Sequence, residues 1–160
     1  MTNSKKNSSF FLYERLVIPI KLLYYYIDEK GRVRIPKNFR DELGETFYLT
    51  KGFDKCLFVF SEDQWHAFQS KLGENQLKSK DFRKIHRFFT GSAMACVLDG
   101  QGRAMVSPSL RTFGELDKEV VVIGVGSRIE IWSKEIWDKY KDDELDDVSD
   151  LADSLEGLNL

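Results

Sequence analysis

Hydrophobic and polar positions alternate in short runs along most of the chain, a pattern typical of half-buried β-strands. Between Arg32 and Ile35, arginines alternate with valine and isoleucine, so the two faces of that strand differ in polarity. The pattern therefore predicts a mainly β protein of the α+β class. Its longer strands are predicted over 22–27, 46–50, 56–60, 93–98, 119–123 and 128–132.

Helix signals fall between these strands. Pro36 and Pro108 each predict the start of a short helix, because a first helical turn does not need the N–H that proline lacks. Ser61, followed three residues later by Gln64, predicts a capped helix, and Ser133 opens a matching one. A further helix is predicted over 78–90, with an inward face made of Phe82, Ile85, Phe88 and Phe89.

The whole pattern occurs twice. Asp28, Gly31, Arg32 and Arg40 match Asp99, Gly102, Arg103 and Arg111 at an offset of 71 residues, and a downstream block from Gly52 to Trp65 matches one from Gly124 to Trp137 at an offset of 72. One repeat of about 44 residues buries little core by itself. We therefore expect the two copies to form one composite unit.

In each copy a strand runs into an Asp-x-x-Gly sequence. An aspartate at the first position of a turn can accept backbone N–H bonds, and glycine tolerates the left-handed backbone that closes such hairpins. Asp28, Gly31, Asp99 and Gly102 are therefore predicted to shape two turns.

These patterns predict five segments along the chain. They are an N-terminal extension that is flexible (1–21), a first repeat (22–65), a helical linker (66–92), a second repeat (93–136), and a helix with an acidic C-terminal tail (137–160).

The chemistry-bearing residues exclude several classes of protein. No apolar run approaches the ~20 residues of a membrane-spanning helix, and nothing resembles a cleaved signal sequence, so we expect a cytoplasmic protein. Two cysteines and two histidines, scattered singly, predict neither a disulfide framework nor a metal site. Phosphate-loop and nucleophile motifs are absent from the sequence, so we expect no enzyme, no cofactor and no small-molecule substrate.

Charge is segregated along the chain. Residues 138–160 hold nine acids and two lysines, whereas residues 1–137 hold 17 acids and 22 lysines and arginines. A basic body with an acidic tail suits an anionic partner, with which the tail could compete for the basic surface. The alternative is that the tail only solubilises the chain end.

The basic residues concentrate around the first turn. Arginine can bind phosphate or the guanine O6/N7 edge in bidentate fashion, and a two-stranded ribbon fits the major groove. The alternative is that Arg32 pairs locally with Asp28, although such a pair could also orient Arg32 toward DNA. A second basic cluster lies on the 78–90 helix, where a solvated helix face is the simpler interpretation. The residues predicted to bind DNA are Lys30, Arg32, Arg34, Lys37 and Arg40, with Gln101, Arg103 and Arg111 in the second copy. The second copy has fewer basic residues, so its turn either contacts DNA more weakly or serves mainly to complete the fold.

The sequence resembles the MraZ family, whose chains carry two tandem SpoVT-AbrB domains, each with an Asp-x3-Arg element. The resemblance runs from about Leu22 to Tyr140 and includes 28–36, 98–111 and the strand block 118–132. It implies a swapped-hairpin barrel in which the two copies pair. It also implies a bacterial, nucleoid-associated transcriptional regulator, expected to be a repressor, of the division and cell-wall gene cluster promoter. The implied partners are double-stranded DNA with repeated promoter elements and further copies of the chain in a ring-like homo-oligomer.

A different class of function remains open from the sequence. The same fold could serve as an antitoxin-like or other protein-interaction module, in which the acidic tail makes the key contact. The neighbouring genes separate the two hypotheses, since division and cell-wall genes favour a regulator and a small nuclease gene favours an antitoxin.

Overall fold

A computed structural model describes residues 22–75, 77–144 and 147–157. The N-terminal extension predicted over 1–21 lies outside the described residues, as do the last three residues of the acidic tail. Within the described residues, no helix combines the length and apolar character needed to cross a membrane.

Two similar halves follow each other along the chain. The first half contains β1 (Leu22–Tyr26), β2 (Arg32–Arg34), α1 (Lys37–Leu43), β3 (Thr46–Lys51), β4 (Leu57–Ser61) and α2 (Glu62–Asn75), and α3 (Lys80–Thr90) follows. The second half contains β5 (Met94–Val97), β6 (Arg103–Met105), α4 (Pro108–Gly114), β7 (Glu119–Gly124), β8 (Ile129–Ser133), α5 (Lys134–Glu144) and α6 (Val148–Ser154). The six longer predicted strands are confirmed to within one residue at each end.

The strands form a six-stranded antiparallel sheet in the order β1-β7-β8-β4-β3-β5, together with a separate β2–β6 ribbon. The two halves exchange strands, because β1 pairs with β7 and β5 pairs with β3. Within the described residues, β1 and β5 remain the open edges of the sheet. The fold is therefore mixed and β-rich, as expected, but the strand pairing does not close the barrel that the resemblance implied.

The two faces of the sheet carry different cores. Along β4, Leu57 and Val59 join one buried cluster, whereas Phe58 and Phe60 join another, as the two-residue period of a strand requires. The first cluster takes buried side chains from both halves and from both strands of the ribbon. Neither half could bury this core alone. Its fully buried members include Val33, Phe39, Phe47, Leu49, Ala104, Val120, Val122 and Ile131.

The second cluster is aromatic and lies beneath α2, α3 and α5. Phe89 stacks on Phe58 with 5.9 Å between ring centroids, and it meets Phe68 edge-to-face at 5.0 Å. The capping box predicted for α2 is present, since the Gln64 N–H donates to Ser61 Oγ and the Ser61 N–H donates to Gln64 Oε1. The ring contacts hold α2 and α3 on the face of the sheet opposite the ribbon.

One prediction about α3 is wrong. Phe89 is buried and Phe88 is partly buried as expected, but Phe82 and Ile85 remain 41% and 43% exposed. The helix is joined to the sheet at its C-terminal end, where the Thr50 hydroxyl donates to the Phe89 carbonyl at 2.6 Å. Phe82 lies seven residues before Phe89, which corresponds to about 10 Å along a helix. Apolar residues in the first turns therefore lie well away from that attachment.

Candidate nucleic-acid interface

The first Asp-x3-Arg element is a tight turn between β1 and β2. One carboxylate oxygen of Asp28, Oδ1, accepts hydrogen bonds from the backbone N–H groups of Lys30 (3.0 Å) and Arg32 (2.9 Å). The Gly31 N–H donates to the Asp28 carbonyl at 2.9 Å. Gly31 has φ +84°, which an L-residue with a side chain rarely adopts. Aspartate and glycine together close this turn and set the start of β2.

The second turn repeats this geometry. Asp99 Oδ1 accepts from the N–H groups of Gln101 and Arg103, each at 2.9 Å, and the Gly102 N–H donates to the Asp99 carbonyl at 3.0 Å. Gly102 has φ +74°. The internal repeat of the sequence is therefore also a repeat of local geometry.

Each turn also carries an ion pair. Arg32 Nε lies 2.6 Å from Asp28 Oδ2, and Arg103 Nε lies 2.8 Å from Asp99 Oδ2. The backbone N–H of the paired arginine is the main cause that lowers the pKa of each carboxyl group, and the arginine side chain lowers it further. The Arg32 and Arg103 side chains remain 28% and 24% exposed. Each aspartate thus orients an arginine without burying it.

The ribbon brings the two repeats together on one outward face. In the antiparallel register, Arg32 lies opposite Met105 and Arg34 lies opposite Arg103. The middle pair, Val33 and Ala104, is fully buried in the core. Three arginines from two distant parts of the chain therefore share one face of a two-stranded ribbon.

The pairing of Arg34 with Arg103 is electrostatically unfavourable by itself, because like charges directly opposite each other destabilise a strand pair. Arg103 is balanced by Asp99 and, at 3.8 Å, by Asp28. Arg34 is exposed and has no carboxylate partner among the described residues. The ribbon face consequently presents positive charge that no carboxylate within the described ranges neutralises.

The other predicted DNA-binding residues fall into two groups. Lys30, Lys37 and Gln101 are exposed at or beside the turns. Arg40 on α1 and Arg111 on α4 are half-buried, and each packs against the turn glycine of the opposite repeat.

Met105, which was not among the residues predicted from the sequence, is 46% exposed on the ribbon face. The signal was present, because the two-residue period of β6 places Met105 on the same face as Arg103.

The basic cluster on α3 lies elsewhere. Phe89 anchors α3 in the aromatic cluster, whereas Val33 of the ribbon belongs to the cluster on the other face of the sheet. The two basic regions therefore lie on opposite sides of the sheet. The cluster comprises Lys78, which precedes α3, together with Lys80, Arg83, Lys84 and Arg87 on the helix.

A shared core, exchanged strands and one basic ribbon place the chain among tandem-repeat proteins whose two copies act as one unit. Comparison with known proteins identifies the family. The family model described as "MraZ protein, putative antitoxin-like" matches residues 23–88 and again residues 89–154. The chain belongs to the MraZ family.

Curated relatives agree with this assignment. The chain is 46% identical over 134 residues to "Transcriptional regulator MraZ" of Thermoanaerobacter sp. (strain X514), and equally so to that of Alkaliphilus metalliredigens (strain QYMF). In both cases the match covers 84% of this chain and 94% of the relative. The protein of the same name from Caldicellulosiruptor saccharolyticus is 46% identical over 136 residues.

Proposed function

We propose that the protein is a DNA-binding transcriptional regulator that contacts DNA with the outward face of the β2–β6 ribbon. The observation that carries the proposal is the placement of Arg32, Arg34 and Arg103 on that face. A two-stranded ribbon fits the major groove, where arginine binds the guanine O6/N7 edge. The relatives named transcriptional regulators support the same function, and they do not favour an antitoxin-like interaction module.

The contacts follow from the position of each side chain. Arg32 and Arg103, held by their aspartates, are suited to bidentate base contacts, and Arg34 is free to bind either a base or a phosphate. Lys30, Lys37 and Gln101 flank the ribbon and supply phosphate or base-edge contacts. Met105 adds an apolar group of the kind that contacts the thymine methyl.

The proposal extends to the biological target and location. The regulator acts in the cytoplasm, associates with the nucleoid, and represses the promoter of a division and cell-wall gene cluster through repeated short elements. The exchange of strands between the repeats supports the swapped-hairpin arrangement. We also propose that the two repeats span 22–65 and 93–136 and that the linker spans 66–92.

The proposal includes assembly into a ring-like homo-oligomer. Both edges of the sheet are open within the described residues, and Tyr24 and Tyr26 on edge strand β1 are 55% and 72% exposed. Open edges and exposed aromatic side chains favour association with further copies. Light scattering over a concentration series should give a multiple of 18.6 kDa, and a constant mass of one chain would exclude the ring.

A footprint of the purified protein on the DNA upstream of its own gene tests the function directly. We expect short, repeated protected segments, and weaker binding to a random fragment of equal length and base composition. Equal affinity for both fragments would contradict sequence-specific regulation. Absence of binding to either fragment, with co-purification of a neighbouring gene's product, would favour the interaction module instead.

A further inference from the structure

Arg40 and Arg111 occupy equivalent positions in the two repeats and make reciprocal contacts across them. The Arg40 guanidinium packs on Gly102, so a Cβ atom added there would lie 2.9 Å from Arg40 Cζ. The Arg111 guanidinium packs on Gly31, where an added Cβ would lie 2.8 Å from Arg111 Cζ. Each contact therefore requires a glycine in the turn of the other repeat.

The same two glycines are also held through their carbonyl groups. The Ile35 N–H donates to the Gly102 carbonyl at 3.0 Å, and the Val106 N–H donates to the Gly31 carbonyl at 2.8 Å. Each turn is thus fixed by a backbone bond from the opposite strand and by a guanidinium from the opposite helix. The two arginines follow Phe39 and Leu110, which are buried, so their helices are anchored in the core.

Neither arginine is part of an ion pair within the described residues, and the Nε atoms of both are buried there without a hydrogen-bond acceptor. Leaving a buried N–H unpaired is unfavourable. The side chains are therefore placed for their contact with the turn rather than for a salt bridge. Arg32 and Arg103, in contrast, pair with aspartates beside the ribbon face.

We propose that Arg40 and Arg111 are positioning residues, each acting through the Asp-x3-Arg turn of the other repeat. Arg40 holds the turn that presents Arg103, and Arg111 holds the turn that presents Arg32. The effect on DNA rests on the proposed function, but the effect on the turns does not. The competing role is the one expected from the sequence, in which both arginines contact DNA themselves.

Hydrogen exchange of the DNA-free protein tests the crossed connection. In Arg40→Met, amide exchange at Gly102 and Arg103 should become about three- to tenfold faster, the change expected when one interaction of ordinary strength is lost. Exchange at Gly31 and Arg32 should stay unchanged. Arg111→Met should give the reverse pattern, and Arg87→Met on α3 serves as the matched control.

Two outcomes would overturn the proposal at this stage. Exchange that stays unchanged at the opposite turn would show that the contact does not hold it. Exchange that rises equally throughout the protein would show general destabilisation instead. If Arg40→Met does not fold, Arg40→Lys tests the same point, because lysine keeps the charge and the stem but lacks the planar group.

A double-mutant cycle on DNA binding separates positioning from direct contact. If Arg40 acts through the second turn, Arg40→Met should weaken binding in the parent but add little in an Arg103→Ala background. It should add its full effect in an Arg32→Ala background. Equal effects in both backgrounds, or recovery of parental affinity by Arg40→Lys, would indicate that Arg40 contacts DNA itself. If the parent protein does not bind DNA, the proposed function is wrong. The hydrogen-exchange result then decides by itself whether each arginine holds the turn of the other repeat.

Discussion

Asp28 Oδ2 lies 3.8 Å from Arg103 Nη1, so the turn of the first repeat carries an ion pair to the turn of the second. The same oxygen lies 2.6 Å from Arg32 Nε. Asp99 makes no corresponding pair with Arg32 in the part of the chain that the structure describes. The two turns have matching local geometry, but only the first aspartate contacts arginines from both repeats.

We expect Arg32→Ala to weaken operator binding by about 1–3 kcal/mol if Arg32 makes a bidentate base contact. The loss should be larger on the operator than on random DNA. If Arg32 contacts only phosphate, the affinities for both DNAs should fall alike. The slope of log binding constant against log salt concentration should then shrink by ~0.9 per contact in each subunit. Salt titrations on both DNAs measure this, and Arg103→Ala should show a similar but smaller effect.

Arg87→Ala is the matched control, since it removes an exposed arginine from α3, away from the ribbon. Thermal melts confirm that each variant folds. A folded Arg32→Ala protein with parental affinity would place the DNA surface elsewhere, with the α3 cluster as the first candidate.

Acid should destabilise the turns through Asp28 and Asp99. Their pKa values are lowered from 3.8 because both carboxylates accept backbone N–H bonds in the folded protein. A carboxyl group whose pKa is lower in the folded than in the unfolded protein stabilises the fold at pH values above its unfolded-state pKa. This stabilisation is lost as the pH falls through the folded-state pKa. In Asp28→Asn, the melting temperature should therefore fall less steeply than in the parent below about pH 4.

Asp41→Asn, on the exposed side of α1, is the control for this titration and should follow the parent curve. Melts of the three proteins across the acid range provide the measurement. Parallel curves for Asp28→Asn and the parent would show that the Asp28 carboxylate adds no pH-dependent stability.

The strands and turns could be predicted from the sequence because their signals are local. The alternation of Arg32, Val33, Arg34 and Ile35 sets which side chains face the core, and Asp-x-x-Gly sets the turn. Each of these depends on neighbours within a few residues. The strand bounds and the capping box of α2 were predictable for the same reason.

Contacts between the repeats could not be predicted from local sequence signals. Nothing local places Arg34 opposite Arg103, or the Arg40 side chain on Gly102, because both contacts depend on the register of β2 against β6. The exposure of Phe82 was missed for a similar reason. An amphipathic pattern shows which face of a helix is apolar, but not how far the helix extends past its partner.

A chain truncated after Glu144 should keep its fold and bind DNA as tightly as the parent, or more tightly. The truncation removes only acids among its charged residues. Val148 and Leu151 on α6, and Leu155 directly after it, are about half exposed. Removing negative charge strengthens attraction to a polyanion, most clearly at low salt. Binding and melting curves of the two proteins test this, and a large loss of melting temperature would show that the tail is a docked structural element.

Phe89→Ala should lower the free energy of unfolding by about 3–5 kcal/mol, the usual cost of truncating a buried phenylalanine. Phe89 is 2% exposed and contacts the rings of Phe53, Phe58 and Phe68. Leu77→Ala, at a position 88% exposed, should change the free energy of unfolding by less than about 0.5 kcal/mol. Denaturant titration gives both values, and equal values would contradict a structural role for the aromatic cluster.

Both cysteines should resist a thiol reagent while the protein is folded. Burial raises the pKa of Cys96 to about 11 and raises that of Cys56 further still, so little thiolate forms at neutral pH. Absorbance with a disulfide reagent should show no reaction in buffer and two thiols in denaturant. Rapid reaction of one thiol in buffer would reveal local opening of its strand.

The exchange of strands between the halves determines when the protein can fold during synthesis. β1 is the first described strand to leave the ribosome, yet its partner β7 spans Glu119–Gly124, near the other end of the chain. Translation at about 5–20 residues per second separates the two by several seconds. During that time β1 carries leucine and tyrosine side chains with no strand to pair with. A nascent chain of this protein is therefore exposed to mispairing with its neighbours on the same message until its second repeat is complete.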